Sequence, residues 1–506
     1  MLTMRLPTFP KVYNVYFVAV IATVGGMLFG FDISSMSAII GTEQYVDFFD
    51  NPHGVRQGAI NSALAAGSVV GSIMAGPISD KIGRRDSIMF ACLWWLVGTA
   101  IQAGVSGFGT LMAGRVLNGV CVGITSSQVP VYLAEISKKE KRGSIIVIQQ
   151  LAIEWGIFIM FFVGYGCSSI AGPSSFRLAW GLQFVPCVFL MMGLPFLPRS
   201  PRWLAKVDRT EEAITTLARI QAKGNVNDPL VVAEWDEITT VLAAERAAAP
   251  GWRKFVHNGM WRRTMAGFTY MFSKWPSNIL LISSGIQYAL FIVFTSIIFF
   301  YIDKTSRRSL LMYGAIGMAI CHFVVGGVLS SGEYVPNGVD GNLNVLIRVR
   351  GSKAHTVIAF SYLLIIVYAL TLAPVAWVYA AEVWSLETRA SGMAIAATGN
   401  WLFNFALGLF VPPGFANITW KLFITFGVLC IGAAVQVFFT YPETCGKTIE
   451  EVEELFSKGG PKAWHTKPGH SKLDGRIEEA RGKKLGLKVD ETKVEAAAPE
   501  VPTTVG

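Results

Sequence analysis

The chain has 506 residues, 52% of them hydrophobic and 15% charged, with a formal net charge of +9 and a mean hydropathy of +0.47. Soluble domains carry about 25% charged residues, so this composition argues against a soluble enzyme and for a membrane protein. The net charge does not suggest nucleic acid as a partner, because the basic residues sit in short loops between apolar runs, where they set orientation.

Apolar runs of about 20 residues, long enough to span a bilayer, recur along the whole chain. The first runs from near Tyr13 to Ile40. It is too long for a signal-peptide core and no small-residue cleavage site follows, so it reads as a retained span. Six spans are expected near 14–40, 58–78, 87–105, 109–134, 143–166 and 178–197. A polar, helix-friendly stretch follows from Pro198 to about Arg263, with short amphipathic helices over 208–246. A second set is expected near 279–302, 309–331, 355–381, 389–411 and 419–441, and a polar tail from Glu443 closes the chain. From about Lys458 that tail is rich in Lys, Glu, Gly and Pro, a disordered composition. The seven cysteines lie mostly inside apolar runs without zinc or disulfide spacing, and read as small buried apolar residues.

The basic loops give the orientation. "DKIGRR" (Asp80–Arg85), "KKEKR" (Lys138–Arg142), "DKTSRR" (Asp303–Arg308) and "ETR" (Glu387–Arg389) all fall on one side, the cytoplasm by the positive-inside rule. "DKIGRR" and "DKTSRR" also repeat the pattern Asp-Lys-x-x-Arg-Arg at the same place in each half. Two related six-span halves around a central segment is the architecture of transporters that rock about a site at the membrane midplane.

The motifs, in order, are "GGMLFGFD", "GPISDKIGRR", "GRVLNGVCVG", "PVYLAEIS", "LPRSPRWL", "AEVWSLETRASG" and "YPETCGKTIEEVEELF". With these the chain resembles the sugar porters of the major facilitator superfamily over about residues 11 to 456. It is most similar to the fungal high-affinity glucose transporters. The resemblance implies an all-α integral membrane fold of two pseudo-symmetric six-helix halves. The N-terminal half is 1–197, the linker 198–263, the C-terminal half 264–442 and the tail 443–506, with both termini cytoplasmic. It implies a monomer in the plasma membrane that moves glucose or another hexose with a proton. Such a protein needs no cofactor and no metal, and is not an enzyme. A facilitative uniporter, a transporter-like sugar sensor and an inactive pseudo-porter are the rival readings.

Asp32 lies inside the first apolar run. A carboxylate in hydrocarbon is costly and marks a functional site when a partner can be named. Arg115, early in the fourth span, is the candidate. Burial disfavours an ionised carboxyl and a guanidinium favours it, so an Asp that meets and leaves an Arg takes up and releases a proton. The matching pair has that role in proton-coupled sugar porters; the alternative is a static ion pair that packs two spans. Polyhydroxylated substrates need amides, hydroxyls and aromatic faces. The resemblance places Gln150, Trp377, Asn400, Trp401 and Asn404 in that role, and Asn400 and Asn404 share a helix face. Pro374 is expected to kink the tenth span. Asp80, Arg84, Arg85 and Glu135, mirrored by Asp303, Arg307, Arg308 and Glu382, are expected to form gating ion pairs at the cytoplasmic end. Gly25, Gly26 and Gly30 either allow close helix packing or mark use of xylose, as a similar pattern does in porters that accept pentoses.

One stretch departs from the family. Arg262-Arg263 and Asp303–Arg308 are both expected on the cytoplasmic side, yet only about 39 residues, Thr264 to Ile302, separate them. That is barely two spans of about 20 residues. "SKWPSN" (Ser273–Asn278) interrupts the run, and the arm Thr264–Phe272 reaches about 14 Å as a helix, short of the roughly 30 Å hydrocarbon core. The family's seventh-span glutamines, asparagine and tyrosines are missing, and Phe291 stands where its eighth-span asparagine would fall. Either a gene-model or splicing loss has removed part of the span, which is the favoured reading, or the seventh span is re-entrant or absent.

Overall fold

The computed structural model describes residues 10–50, 52, 54–247, 281–336, 346–384, 388–448, 451, 452, 455, 456 and 461–469. Glu387, the interrupted stretch 264–278 and the tail beyond 469 lie outside them. The described residues contain eleven helical segments long and apolar enough to cross a membrane.

Six of these segments precede the linker. They are α1 (Val15–Ile39), α3 (Gly54–Ile82), α4 (Arg84–Ala103), α5 (Phe108–Ile136), α6 (Arg142–Cys167) and a broken span made of α7 (Ser174–Gly181) and α8 (Phe184–Gly193). Short α2 (Glu43–Phe49) lies between the first two. The start of α1 is fixed by Asn14, whose side chain accepts from the Tyr16 and Phe17 amides. The linker forms α9 (Pro201–Lys206), α10 (Thr210–Gln221) and α11 (Pro229–Ala247), packed around Trp203, Leu204, Leu217 and Ile238. That agrees with the amphipathic pattern of 208–246. The later spans are α12 (Leu281–Tyr301), α13 (Arg307–Ser330), a broken span of α14 (Ser352–Leu370) and α15 (Leu372–Glu382), α16 (Arg389–Ile418) and α17 (Lys421–Thr440). Between α13 and α14, two-residue strands β1 (Glu333–Tyr334) and β2 (Ile347–Arg348) pair antiparallel.

Both broken spans are interrupted at proline. A proline lacks an N–H and its ring crowds the carbonyl four residues back. Pro374 accordingly ends α14 at Leu370, with Thr371 at φ −128°, ψ −86°, as expected from the sequence. Pro186 does the same at Leu182, and the Gln183 carbonyl beside the break accepts from the Trp95 indole at 3.0 Å.

Small residues set the helix spacing. A Cβ on Gly30 of α1 would lie 2.1 Å from the Ile153 carbonyl oxygen of α6, so this glycine is required for close packing whatever else it does. Because backbone cannot rotate aside as a side chain can, Gly30→Val is expected to cost roughly 1–3 kcal/mol or more. Thermal melting of the purified protein checks this: an unchanged midpoint contradicts it. All seven cysteines are buried and free, as expected. Residues 461–469 of the tail pack against α17, where Trp464 finds aromatic partners. Its ring lies parallel to Phe438 at 6.3 Å and edge-on to Phe439 at 5.7 Å, and the Glu443 amide donates to Thr466 Oγ1 at 2.8 Å.

Candidate functional site

Asp32 of α1 and Arg115 of α5 meet in the interior of the first six spans, as the sequence suggested. Arg115 Nη1 lies 2.9 Å from Asp32 Oδ1 with both side chains buried. The second carboxylate oxygen accepts from Asn118 Nδ2 at 3.2 Å, and Arg115 Nε donates to the Ile60 carbonyl at 3.1 Å. Asn118 also approaches Gln183 Oε1 and Thr99 Oγ1, at 3.4 and 3.5 Å. It was not singled out from sequence, although its place three residues after Arg115 puts both on one helix face.

The amides and indoles form two groups, and each joins the early spans to the late ones. In the first, Trp377 Nε1 of α15 donates to Gln150 Oε1 of α6 at 3.0 Å, and Gln150 Nε2 donates to Glu154 Oε1 at 3.0 Å. In the second, Trp401 Nε1 of α16 donates to Ser126 Oγ of α5 at 3.0 Å, and its ring meets Phe29 of α1 edge-on at 4.9 Å. Asn404 Nδ2 donates to the Asn400 carbonyl and side-chain oxygens at 2.8 and 3.2 Å. Trp377 and Trp401 are 1% and 2% exposed, so neither is an interfacial anchor. The side-chain amides of Gln102, Gln128, Gln149 and Gln287 are buried with no hydrogen-bond partner among the described residues. Buried polar groups are rarely left unpaired, and none of these four was singled out from sequence. Gln287, on α12, stands in the span nearest the missing polar residues. Its apolar surroundings, "GIQYALF", conceal it in a hydropathy pattern.

At the end carrying the basic loops, ion pairs repeat in both halves. Arg84 grips Glu135 through Nε and Nη2 at 3.0 and 3.1 Å, and Arg307 Nη2 lies 3.6 Å from Glu382 Oε1. Asp80 lies 3.5 Å from Arg84, and Asp303 3.3 Å from Arg307. Each glutamate also answers an arginine of the other half. Arg389 Nη1 is 3.7 Å from Glu135, and Arg142 lies in the field of Glu382. Asp303 crosses the interface differently. It accepts from the Gly143 and Ser144 amides at 2.8 and 3.0 Å and so caps the N-terminus of α6, where a carboxylate is favoured. Here Gly143 has no room for a Cβ, which would sit 2.4 Å from Asp303 Oδ1. Asp80 completes the set with Lys206 of the linker at 2.9 Å and Ser391 of α16 at 3.5 Å. Thr448 Oγ1 of the tail donates to Glu237 of the linker at 2.8 Å, and burial holds that carboxyl above its ordinary range.

Two arginines depart from the expected gate pairing. Arg85 pairs with its neighbour Asp86 at 2.6 Å and donates to the Leu197 carbonyl, because the turn at Gly83, φ +93°, directs only Arg84 inward. Arg308 lies over the Phe438 ring and donates to the Phe438 carbonyl at 2.9 Å. The six remaining residues form the paired network. Glu135→Gln weakens the link from Arg84 to Arg389 and is expected to loosen this end. Alkylation of a cysteine introduced at Ser391 by a membrane-permeant maleimide should then be faster; an unchanged rate contradicts it.

A family model described as "Sugar (and other) transporter" matches residues 18–283 and 269–456. The two matched stretches meet at 269–283, where the sequence pattern is interrupted. The chain is 38% identical to a high-affinity glucose transporter of Kluyveromyces lactis, covering 95% of this chain and 91% of that one. It is 37% identical to high-affinity glucose transporter 1 of Candida albicans, covering 97% and 94%. Among solved structures, the proton:xylose symporter XylE bound to 6-bromo-6-deoxy-D-glucose superposes with a TM-score of 0.75 at 23% identity, over 88% of this chain and 99% of that one. The inward open conformation of XylE from E. coli gives 0.64 at 23% identity, over 87% and 100%. With matched stretches at both ends of the chain and this superposition, the chain belongs to the sugar (and other) transporter family and has the major facilitator fold.

Proposed function

We propose that the chain carries a monosaccharide, glucose or another hexose, inward across the plasma membrane together with a proton. The halves 1–197 and 264–442 rock about the site between them, over the linker 198–263. The carrying observation is the pair of indole bonds across the interface, Trp377 to Gln150 and Trp401 to Ser126. Buried amides and indoles in that place suit a neutral, polyhydroxylated molecule. The names of the relatives support the substrate class. The ion pairs at the basic end hold that end shut in this conformation, so access would come from the opposite side; the positive-inside rule makes the closed end, both termini and the tail 443–506 cytoplasmic. No covalent bond of the sugar changes, so the activity is not enzymatic.

Uptake of labelled glucose into cells lacking their own hexose carriers tests this reading. Uptake supports it, and its absence favours a sensor or a non-transporting relative. A protonophore separates symport from facilitation: it stops accumulation only in a symporter. Competition by xylose tests pentose use. Gln150→Ala removes the acceptor of the Trp377 indole and one of the two donors to Glu154 Oε1. With a sugar-facing amide worth about 1–3 kcal/mol, KM for glucose is expected to rise roughly tenfold or more; an unchanged KM removes Gln150 from the site. Sequencing the expressed transcript across codons 264 to 285 decides whether the shortened stretch is native. An added in-frame segment rich in glutamine and tyrosine restores the family pattern; a match to this chain predicts weak folding or binding without movement.

A further inference from the structure

Glu154 sits on α6 one turn beyond Gln150 and is 1% exposed. Its Oε1 accepts twice, from Gln150 Nε2 at 3.0 Å and from Thr295 Oγ1 of α12 at 2.8 Å. Its Oε2 is enclosed and accepts no hydrogen bond from the described residues. No lysine or arginine among the described residues forms an ion pair with it. The titratable groups on the helices packed around α6 are occupied elsewhere. Asp32 of α1 is paired with Arg115 of α5, Glu382 of α15 with Arg307, and Tyr288 of α12 packs on Phe161. Tyr368 of α14 shares the field of Glu154 but brings no positive charge.

An ionised carboxylate removed from water is costly unless a cation answers it. Two neutral donors offset only part of that cost, and here both fall on one oxygen. That asymmetry is the pattern of a carboxylic acid. The carbonyl oxygen of an acid accepts two hydrogen bonds, and its hydroxyl oxygen carries the proton and needs no donor. Trp377, Gln150, Glu154 and Thr295 thus form one chain of hydrogen bonds from α15 through α6 to α12, tying an early span to two late ones.

We propose that Glu154 is a second proton-binding group, distinct from Asp32, that holds its proton while α6 and α12 are packed together and releases it when they part. The proposal rests on the reading of the chain as a proton-linked sugar carrier. Only a proton moves: water on one face supplies it to Oε2, and water reaching the opened site removes it. Because Gln150 bonds both Trp377 and Glu154, loss of the proton disturbs the sugar-facing amide and weakens sugar binding.

The test uses the full chain in lipid. Infrared difference spectra of wild type against E154Q at neutral pH are expected to show the carbonyl stretch of a protonated carboxylic acid, lost in the variant. Carboxylate bands in its place overturn the proposal. Sugar counterflow by the wild type is expected to fall about tenfold between about pH 5 and about pH 8, and by E154Q to stay flat. A wild-type pH profile in E154Q overturns it. If E154Q does not fold, T295V serves: removing one donor should shift the same carbonyl stretch to higher frequency, and an unshifted spectrum counts against the proposal. The Asp32→Asn variant separates the two readings. It should retain the band, so that loss of accumulation there reports on Asp32 alone. If no variant and no wild type moves sugar, the transport reading fails while the band still decides the state of Glu154.

Discussion

Asp32→Asn is expected to abolish accumulation of sugar against a gradient, bringing the inside-to-outside ratio to unity, while counterflow remains measurable. The carboxylate lies 2.9 Å from Arg115 with both groups buried. Asparagine keeps the shape and can still meet Asn118 and Arg115 by hydrogen bonds, but cannot take up and release a proton. The pair is also structural. Removing one partner of a buried pair typically costs about 3–5 kcal/mol, because the remaining charge is uncompensated. Lower yield is therefore expected alongside the coupling defect. The two effects separate when uptake is normalised to folded protein at the membrane. Uphill, pH-dependent uptake that survives in Asp32→Asn leaves the pair a static brace and makes the protein's coupling, if any, the work of another group.

The second large effect is structural. Gly71→Val is expected to prevent recovery of folded protein. Helices α3 and α5 approach through four glycines in reciprocal positions. A Cβ on Gly67 or Gly71 of α3 would lie 2.0 or 2.1 Å from the Val116 or Val120 carbonyl oxygen of α5, and one on Gly119 or Gly123 of α5 would lie 2.2 Å from the Leu64 or Ser68 carbonyl oxygen of α3. Each obstacle is backbone, so the helices must move apart as rigid bodies. In a membrane, where lipid is as apolar as leucine, close backbone packing is a main source of helix association. Separation here also disturbs Arg115, which reaches from α5 to the Ile60 carbonyl of α3. Gly109→Ala is the control, since nothing lies near its Cβ. Size-exclusion profiles of the detergent-solubilised proteins check both: a monodisperse Gly71→Val peak with wild-type melting contradicts the expectation.

The residues of the two halves behave as relatives without being copies. Gly83 starts α4 at φ +93°, with the Trp203 ring against it. At the equivalent place before α13, Ser306 lies at φ −64° and its side chain accepts from the Ser309 amide. One half solves the turn with backbone freedom, the other with a side-chain cap. Both aim the first arginine of the pair, Arg84 or Arg307, at a buried glutamate. The second turns aside, Arg85 to Asp86 and the Leu197 carbonyl and Arg308 to the Phe438 ring and carbonyl.

The sequence alone determined the number and order of the described spans, the linker helices, the break at Pro374 and the residues worth naming, Asp32, Arg115, Gln150 and Trp377. These are local properties. A run of about 20 apolar residues has one way to satisfy its backbone in lipid, a proline breaks its own helix, and a carboxylate in an apolar run is conspicuous by itself. Tertiary structure decided which groups meet. Asp303 caps α6 from the other half, Arg85 and Arg308 turn aside, and glycines of α3 and α5 interlock. Trp464 packs part of a polar tail on α17, and Glu154, which looks like one more polar residue in "LAIEWG", sits between Gln150 and Thr295 with no cation beside it among the described residues. Each of these depends on the approach of segments far apart in the chain, which no periodicity within a single helix encodes.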